Sequence, residues 1–242
     1  MKIYIVGIGP GSAEDMSLRA REAIEKADVI VGYGLYVKLI EDITKGKEIF
    51  STSMTHERER CEKAAEFAMR GKTVAVISGG DSGVYGMAGL MYEVCEAYPE
   101  IEIETVPGIT AACSGAAVAG APLGHDFAVI SLSDMLTPWE LIEKRLRLAS
   151  EADMVICIYN PASRRRADYL KRACAIVMEH KAGSTPCAYV RNIGREGESC
   201  MVCTLEELSE APADMFTTVY IGNSTTRIIN GKLVTPRGYR EK

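Results

Sequence analysis

The chain has 242 residues, 47% of them hydrophobic and 25% charged, with a formal net charge of −5. That mix suits a globular protein with a sizeable core, and the acidic balance argues against a nucleic-acid partner, which usually meets a basic excess. No apolar run reaches the ~18 residues of a membrane span, and the first residues, KIYIVG, already read as a strand. Neither a membrane anchor nor a signal peptide is therefore expected, and the expected location is cytoplasmic.

Eight cysteines, Cys61, Cys95, Cys113, Cys157, Cys174, Cys187, Cys200 and Cys203, lie mostly inside apolar patterns. There cysteine behaves as a small hydrophobe, and a reducing compartment is the simplest home. Only Cys200 and Cys203 form a C-x-x-C. They fall in a strand-like run, where positions three apart face opposite ways. No second pair or histidine cluster completes a metal site, so no protein-bound metal is expected.

Lys2–Val6 is a buried strand running into Gly7-Ile8-Gly9-Pro10-Gly11-Ser12, with a helix expected over 15–27. The loop departs from G-x-G-x-x-G: its third glycine comes one residue early, and no acidic residue closes the next strand. A nicotinamide cofactor is therefore not expected. Asp28–Val31 is the second strand, followed by the bare loop Gly32-Tyr33-Gly34 and a short helix over 35–41. Glu48–Phe50 is a brief strand. Thr55 is the expected cap of a helix over 56–70, whose Arg58 and Arg60 read as solvated charges.

Thr73–Ser78 is a β-branched run with the length of a strand buried on both faces. It ends in Gly79-Gly80-Asp81-Ser82-Gly83, and a helix pattern is expected from Tyr85. In open α/β sheets ligands sit at the carboxyl ends of strands, where such a loop lies. The loop reads as the floor of a binding site, with Asp81 as its charge. Its GDSG also imitates the surroundings of a serine-protease nucleophile. The nearest upstream histidine, His56, lies in the charged run THERER, and the alternation of strands and helices does not suit an all-β protease.

Ile101–Val106 is a strand broken by Pro107-Gly108. Residues 109–117 form a helix of very small residues, suited to close approach by a ligand or to tight packing. Gly120–Gly124 reads as a hinge. Phe127–Ser131 is a strand, after which Thr137, Pro138 and Glu140 spell a capping box for a helix reaching about Ser150. His125, Asp126, Ser131, Ser133 and Asp134 have no such structural duty, and polar groups beside a hinge are candidate acid–base residues. Met154–Tyr159 is a strand leading through Asn160 and Pro161 to Arg164, Arg165 and Arg166. These are read as the first turn of a helix reaching about His180, where cations oppose the helix dipole. That mismatch points to an anionic partner. Pro186–Arg191, Ser199–Thr204 and Thr217–Ile221 are strands, Leu205–Ser209 is a short helix, and Asn230-Gly231 marks a terminal hairpin.

The strand–helix alternation loosens after about residue 185. The expected architecture is α/β, with largely parallel sheet, in two α/β domains over 1–120 and 121–242 and a ligand cleft between them.

VGIGPGS, ISGGDSGVYGMAG, VPGITAACS and IYNP resemble the tetrapyrrole methyltransferases of cobalamin and sirohaem synthesis. GAPLGHDFAVISLSDMLTPWE, YNPASRRR and TPRGY resemble, more narrowly, the precorrin-3B C(17)-methyltransferase branch. The resemblance implies S-adenosylmethionine as methyl donor, bound in the inter-domain cleft of a homodimer, and a tetrapyrrole acceptor. That acceptor is precorrin-3B or cobalt-factor III, methylated at ring carbon 17 with ring contraction. The implied donor contacts are Pro10, Gly79, Gly80, Asp81, Val84, Thr110 and Ala111, with Tyr159 or Asn160 and the stretch Asn192–Gly194. The chain departs from uroporphyrinogen methyltransferases at Gly32-Tyr33-Gly34, which lacks their Tyr-Asp pair. His125, Asp126, Ser131, Ser133 or Asp134 is expected to supply the acid–base work, and Arg164–Arg166 to pair with substrate carboxylates. The competing readings are a methyltransferase acting at another ring carbon and a non-catalytic tetrapyrrole carrier.

Overall fold

A computed structural model describes residues 1–163 and 165–239, in two units, Met1–Ala111 and Ala112–Lys242. The expectation placed on Arg164 lies outside the described residues.

The first unit is a parallel five-stranded sheet, β1 (Lys2–Gly7), β2 (Val29–Tyr33), β3 (Glu48–Thr52), β4 (Thr73–Ser78) and β5 (Glu102–Val106), in the order β3-β2-β4-β1-β5. Alternation along the strands sorts their side chains onto two faces. Val74 and Val76 of β4 join Ile3, Ile5, Val29 and Val31 in one buried cluster. That cluster packs on α3 (Glu57–Met69) and α4 (Ala88–Cys95) through Cys61, Ala64, Ala68 and Met91. Ala75 and Ile77 join Val6 and Ile30 on the other face, against Ala20, Ala23 and Ile24 of α1 (Leu18–Lys26) and Val37 of α2 (Gly34–Lys38). Burial on both faces is why β4 reads as an unbroken apolar run.

The second unit begins with α5 (Ala111–Ala119), whose first residue closes the first unit, and β6 (Gly120–Ala121). Then come β7 (Phe127–Ser131), α6 (Trp139–Glu151), β8 (Val155–Tyr159), α7 (Tyr169–Val177), β9 (Pro186–Arg191), β10 (Ser199–Thr204), α8 (Leu205–Leu208) and β11 (Thr217–Ile221). The sheet order is β10-β9-β11-β8-β7. β7 and β8 are parallel, and the other pairings are antiparallel. These directions bring the carboxyl ends of β7, β8 and β9 to the same end of the sheet. The hairpin β12 (Arg227–Ile229) and β13 (Lys232–Val234) turns at Asn230-Gly231, and β13 pairs with β6. Gly120–Gly124, read from sequence as a hinge, thus carries a strand of this unit. A Cβ on Gly124 would stand 2.1 Å from the Thr235 carbonyl oxygen.

Several helix starts differ from expectation. Ser17 caps α1 by accepting from the Ala20 N–H at 3.1 Å, so the helix opens at Leu18 rather than residue 15. Thr55 and Tyr85 have φ of 71° and 54°. Neither is a helical or capping conformation, so α3 starts after His56 and α4 only at Ala88. The capping box at Thr137 does not form: Pro138 is the N-cap of α6, one residue later. Arg60 is buried rather than solvated. Its guanidinium donates to Thr52 Oγ1 (2.6 Å), the Ser53 carbonyl (2.9 Å) and Glu57 (3.0 Å), tying the end of β3 to α3.

Candidate functional site

In the first unit, the loops after β1, β4 and β5 pack backbone against backbone. Gly9 N–H donates to the Gly80 carbonyl at 2.9 Å, and Ile8 N–H to the Ser78 carbonyl at 3.0 Å. A Cβ on Gly9 would stand 2.2 Å from the Ile109 carbonyl oxygen, and one on Gly108 would stand 2.2 Å from that of Gly80. These glycines are therefore explained by loop-to-loop approach. Gly80 differs: its φ is +62°, and a Cβ there would meet Thr110 Cα at 3.6 Å, ordinary contact. Its need is conformational rather than steric.

Asp81 holds this arrangement. One carboxylate oxygen accepts from the Gly83 N–H (2.8 Å) and the other from the Gly108 N–H (2.9 Å). It thus closes its own loop and ties it to the loop after β5. Ser82, fully buried, donates to the Ile5 carbonyl at 3.3 Å, and its own carbonyl accepts the Ala88 N–H at 3.0 Å. This serine is an anchor for the start of α4, with no exposure to act as a nucleophile. β1 and β4 are neighbours whose chains leave in opposite directions, to β2 and to β5. Open α/β sheets place ligands at such a point.

In the second unit, Tyr159 ends β8, and Asn160 and the 192–194 stretch follow β8 and β9, at the shared end of the sheet. Tyr159 Oη accepts the Ala112 N–H at 2.6 Å, and Tyr220 Oη donates to the Ala112 carbonyl at 3.0 Å. Two tyrosines thus grip one residue in the first turn of α5. A Cβ on Gly115 would stand 2.4 Å from Tyr220 Oη, so tight packing accounts for the small residue there. Asn160, Asn192 and Gly194 all have positive φ, and Gly194 N–H donates to Glu198 at 2.8 Å. All eleven residues expected at the donor, from Pro10 through Gly194, are half-buried, neither core nor fully exposed.

The five acid–base candidates do not come together. Ser131 ends β7 and Ser133 and Asp134 follow it, whereas His125 and Asp126 precede its amino end. Four strand residues, Phe127–Ile130, lie between Asp126 and Ser131, five steps or roughly 17 Å at the usual rise. His125 Nδ1 accepts the Asp126 N–H at 2.9 Å, and both side chains are exposed. At the other end Ser131 Oγ accepts from Asn160 Nδ2 at 2.9 Å and from the Ser133 N–H at 3.2 Å.

Arg165 and Arg166 belong to the loop before α7, not to its first turn. Arg166, 14% exposed, donates to Ser133 Oγ (2.7 Å) and Ser163 Oγ (3.1 Å) and faces Asp134 at 3.5 Å, whereas Arg165 is exposed. Asp134 also accepts from Tyr169 Oη at 2.7 Å. That hydrogen bond, helped by Arg166 and Arg172, holds its carboxyl below the ordinary range, and the same bond raises the Tyr169 phenol. Sequence reasoning missed Tyr169, Tyr220 and the bridging role of Asp81. Tyr220 and Ala112 lie 108 positions apart, beyond any local pattern.

All eight cysteines are free. Cys113, in the first turn of α5, is exposed, while Cys200 and Cys203 are half-buried and the other five are buried. Burial raises the Cys200 thiol and pushes those of Cys61 and Cys174 up to about 12 and Cys203 up to about 11. Among the described residues, no group of three or more His, Cys, Asp or Glu is placed to hold a metal ion. Among the same residues, no helix is long and apolar enough to cross a membrane.

The tetrapyrrole (corrin/porphyrin) methylase family matches residues 2–209. A probable cobalt-factor III C(17)-methyltransferase of Salmonella typhimurium is 46% identical, over 98% of this chain and 99% of the relative. A precorrin-3B C(17)-methyltransferase of a Sinorhizobium species is 39% identical, over 98% and 96%. Among solved structures, that of the methyltransferase CobJ superposes with a TM-score of 0.90 at 37% identity, covering 97% of this chain and 99% of that one. With the parallel sheet, the glycine-lined loop after β4 and a match over most of its length, the chain belongs to the tetrapyrrole (corrin/porphyrin) methylase family.

Proposed function

We propose that the chain transfers a methyl group from S-adenosylmethionine to ring carbon 17 of a tetrapyrrole in corrin-ring synthesis, with ring contraction. Cobalt-factor III is the proposed acceptor, its cobalt arriving as part of the substrate. The observation that carries the reading is the 46% identity shared with a probable cobalt-factor III methyltransferase over nearly the whole of both chains. The 39% shared with a precorrin-3B enzyme supports precorrin-3B as the second acceptor to test.

The loop geometry supports a donor site built from Pro10, Gly79, Gly80, Asp81, Val84, Thr110 and Ala111. Gly80 and Thr110 lie in near contact, and Asp81 fastens the two loops that carry them. In the second unit Tyr159, Asn160, Asn192 and Gly194 are the proposed further contacts. The donor supplies an electrophilic methyl. The chain's part is alignment and exclusion of water, which is what such a transfer needs from a protein. Arg165 is exposed and is proposed to meet substrate carboxylates. A homodimer is part of the same proposal.

The test is calorimetric titration with S-adenosylhomocysteine, followed by turnover of cobalt-factor III and of precorrin-3B, read as gain of one methyl by mass. Asp81→Ala removes the acceptor of two loop N–H groups, each worth about 1 kcal/mol. It is expected to weaken S-adenosylhomocysteine binding by about 10-fold or more, by the same figure. Absence of binding to the folded wild type sinks the reading.

A further inference from the structure

Ser131 carries an inference that rests on this functional reading and sharpens it. A hydroxyl oxygen has two lone pairs and one proton. Both lone pairs of Ser131 Oγ are met by N–H groups, Asn160 Nδ2 at 2.9 Å and the Ser133 backbone at 3.2 Å. Neither N–H can accept a hydrogen bond in return. The oxygen is therefore closed as a proton acceptor, and among the described residues no group takes its own hydrogen, which is left to be given.

The groups around it hold that polarity. Asn160 has φ 52°, a left-handed conformation that asparagine adopts more readily than most residues. It follows Tyr159, the register partner of Ser131 on β8. Ser133, whose N–H supplies the second bond, is itself fastened, because its Oγ accepts from Arg166 Nη1 at 2.7 Å. Arg166 is in turn held by Ser163 and by Asp134, and Asp134 by Tyr169. A half-buried cation engaged on this many sides is spent on geometry. Ser131 itself is half-buried at the end of β7, where a ligand can reach it.

We propose that Ser131 donates a hydrogen bond to a charged or carbonyl oxygen of the tetrapyrrole acceptor. Asn160, Ser133 and Arg166 are the positioning residues that keep it a donor. In this role Ser131 is not the general base of ring contraction, and Arg166 is not a partner for substrate carboxylates.

The experiment compares Ser131→Thr with Ser131→Val, near-isosteric side chains that differ in the hydroxyl. Each is titrated with S-adenosylhomocysteine and assayed with cobalt-factor III, then with precorrin-3B. Both variants are expected to bind S-adenosylhomocysteine like wild type. Ser131→Thr keeps kcat/KM within about 3-fold, whereas Ser131→Val loses on the order of 10- to 100-fold, the range for a hydrogen bond to a charged group. Asn160→Asp retains a side chain suited to positive φ but turns the donor at Ser131 into an acceptor, drawing the serine hydrogen toward itself. It is expected to reproduce the loss of Ser131→Val, and the double variant to be no worse than either alone, as coupled positions require. Any contribution of Asn160 to the donor registers separately, in the S-adenosylhomocysteine titration. Equal turnover by the Thr and Val variants, or additive losses in the double variant, overturns the proposal. If the wild type binds S-adenosylhomocysteine but methylates neither acceptor, the functional reading fails at its acceptor and this assignment falls with it.

Discussion

Glycines 9 and 89 make a matched pair for separating steric need from chance. At Gly9 a new Cβ meets backbone at 2.2 and 2.4 Å, with no flexible side chain to yield. Gly9→Ala is expected to cost at least the ~1–3 kcal/mol of overpacking and to weaken S-adenosylhomocysteine binding with it. At Gly89, exposed within α4, nothing lies within 4 Å. Gly89→Ala should stabilise by about 0.5–1 kcal/mol, the helix-propensity difference. Chemical denaturation of both variants checks the contrast. Lys181 and Asp153 offer a second test. Lys181 has a side chain only 4% exposed and an ammonium 3.4 Å from Asp153, which is 47% exposed. Burial lowers the Lys181 pKa despite the attraction of Asp153. Burial likewise works against the Asp153 carboxylate, yet the hydrogen bonds from Ser224 and the nearby Lys181 leave its pKa below the ordinary value. Two short bonds from Ser224, from its N–H at 2.9 Å and its hydroxyl at 2.5 Å, fix that carboxylate in place. A depressed carboxyl contributes stability that is full above its unfolded pKa of about 4 and fades as pH falls through the folded value. Asp153→Asn should therefore blunt acid unfolding. Asp153→Ala leaves a buried cation without its partner and should cost about 1–3 kcal/mol at neutral pH.

At the scale of elements, strands were more legible than helix starts. β7, β9, β10 and β11 fall where alternation and β-branched runs place them, because burial of a strand is written in its own residues. The starts of α3, α4 and α6 were misplaced because Thr55, Tyr85 and Pro138 take conformations set by the loops around them. The candidate site was legible as a glycine loop with one acid, but not as a clamp. Asp81 and Gly108 meet only once β4 and β5 lie in one sheet. His125 and Asp126 were grouped with Ser131 by nearness in sequence, and a strand between them carries them to the other end of the sheet. The grip of Tyr220 on α5 makes its own prediction. Tyr220 is fully buried, and Tyr220→Phe leaves the Ala112 carbonyl short of a donor, an expected loss of about 1–3 kcal/mol in unfolding free energy.

For the molecule as a whole, a donor that binds the folded state shifts its unfolding by mass action, by about 2.7 kcal/mol at a hundredfold excess over Kd. Thermal unfolding with S-adenosylhomocysteine should therefore rise by roughly 5–11 °C for a chain of this size. Hydrogen exchange should slow across Gly79–Gly83 and Thr110–Ala111, and the same measurement over Asn160 and 192–194 checks the contacts proposed for the second unit. The distribution of thiols makes such measurements easier. With seven cysteines buried or half-buried and Cys113 exposed beside Ala111 and Ala112, a brief treatment with a maleimide dye should mark one position first. The unmutated chain would then carry a fluorescent reporter at the first turn of α5, and its emission could follow ligand arrival in real time.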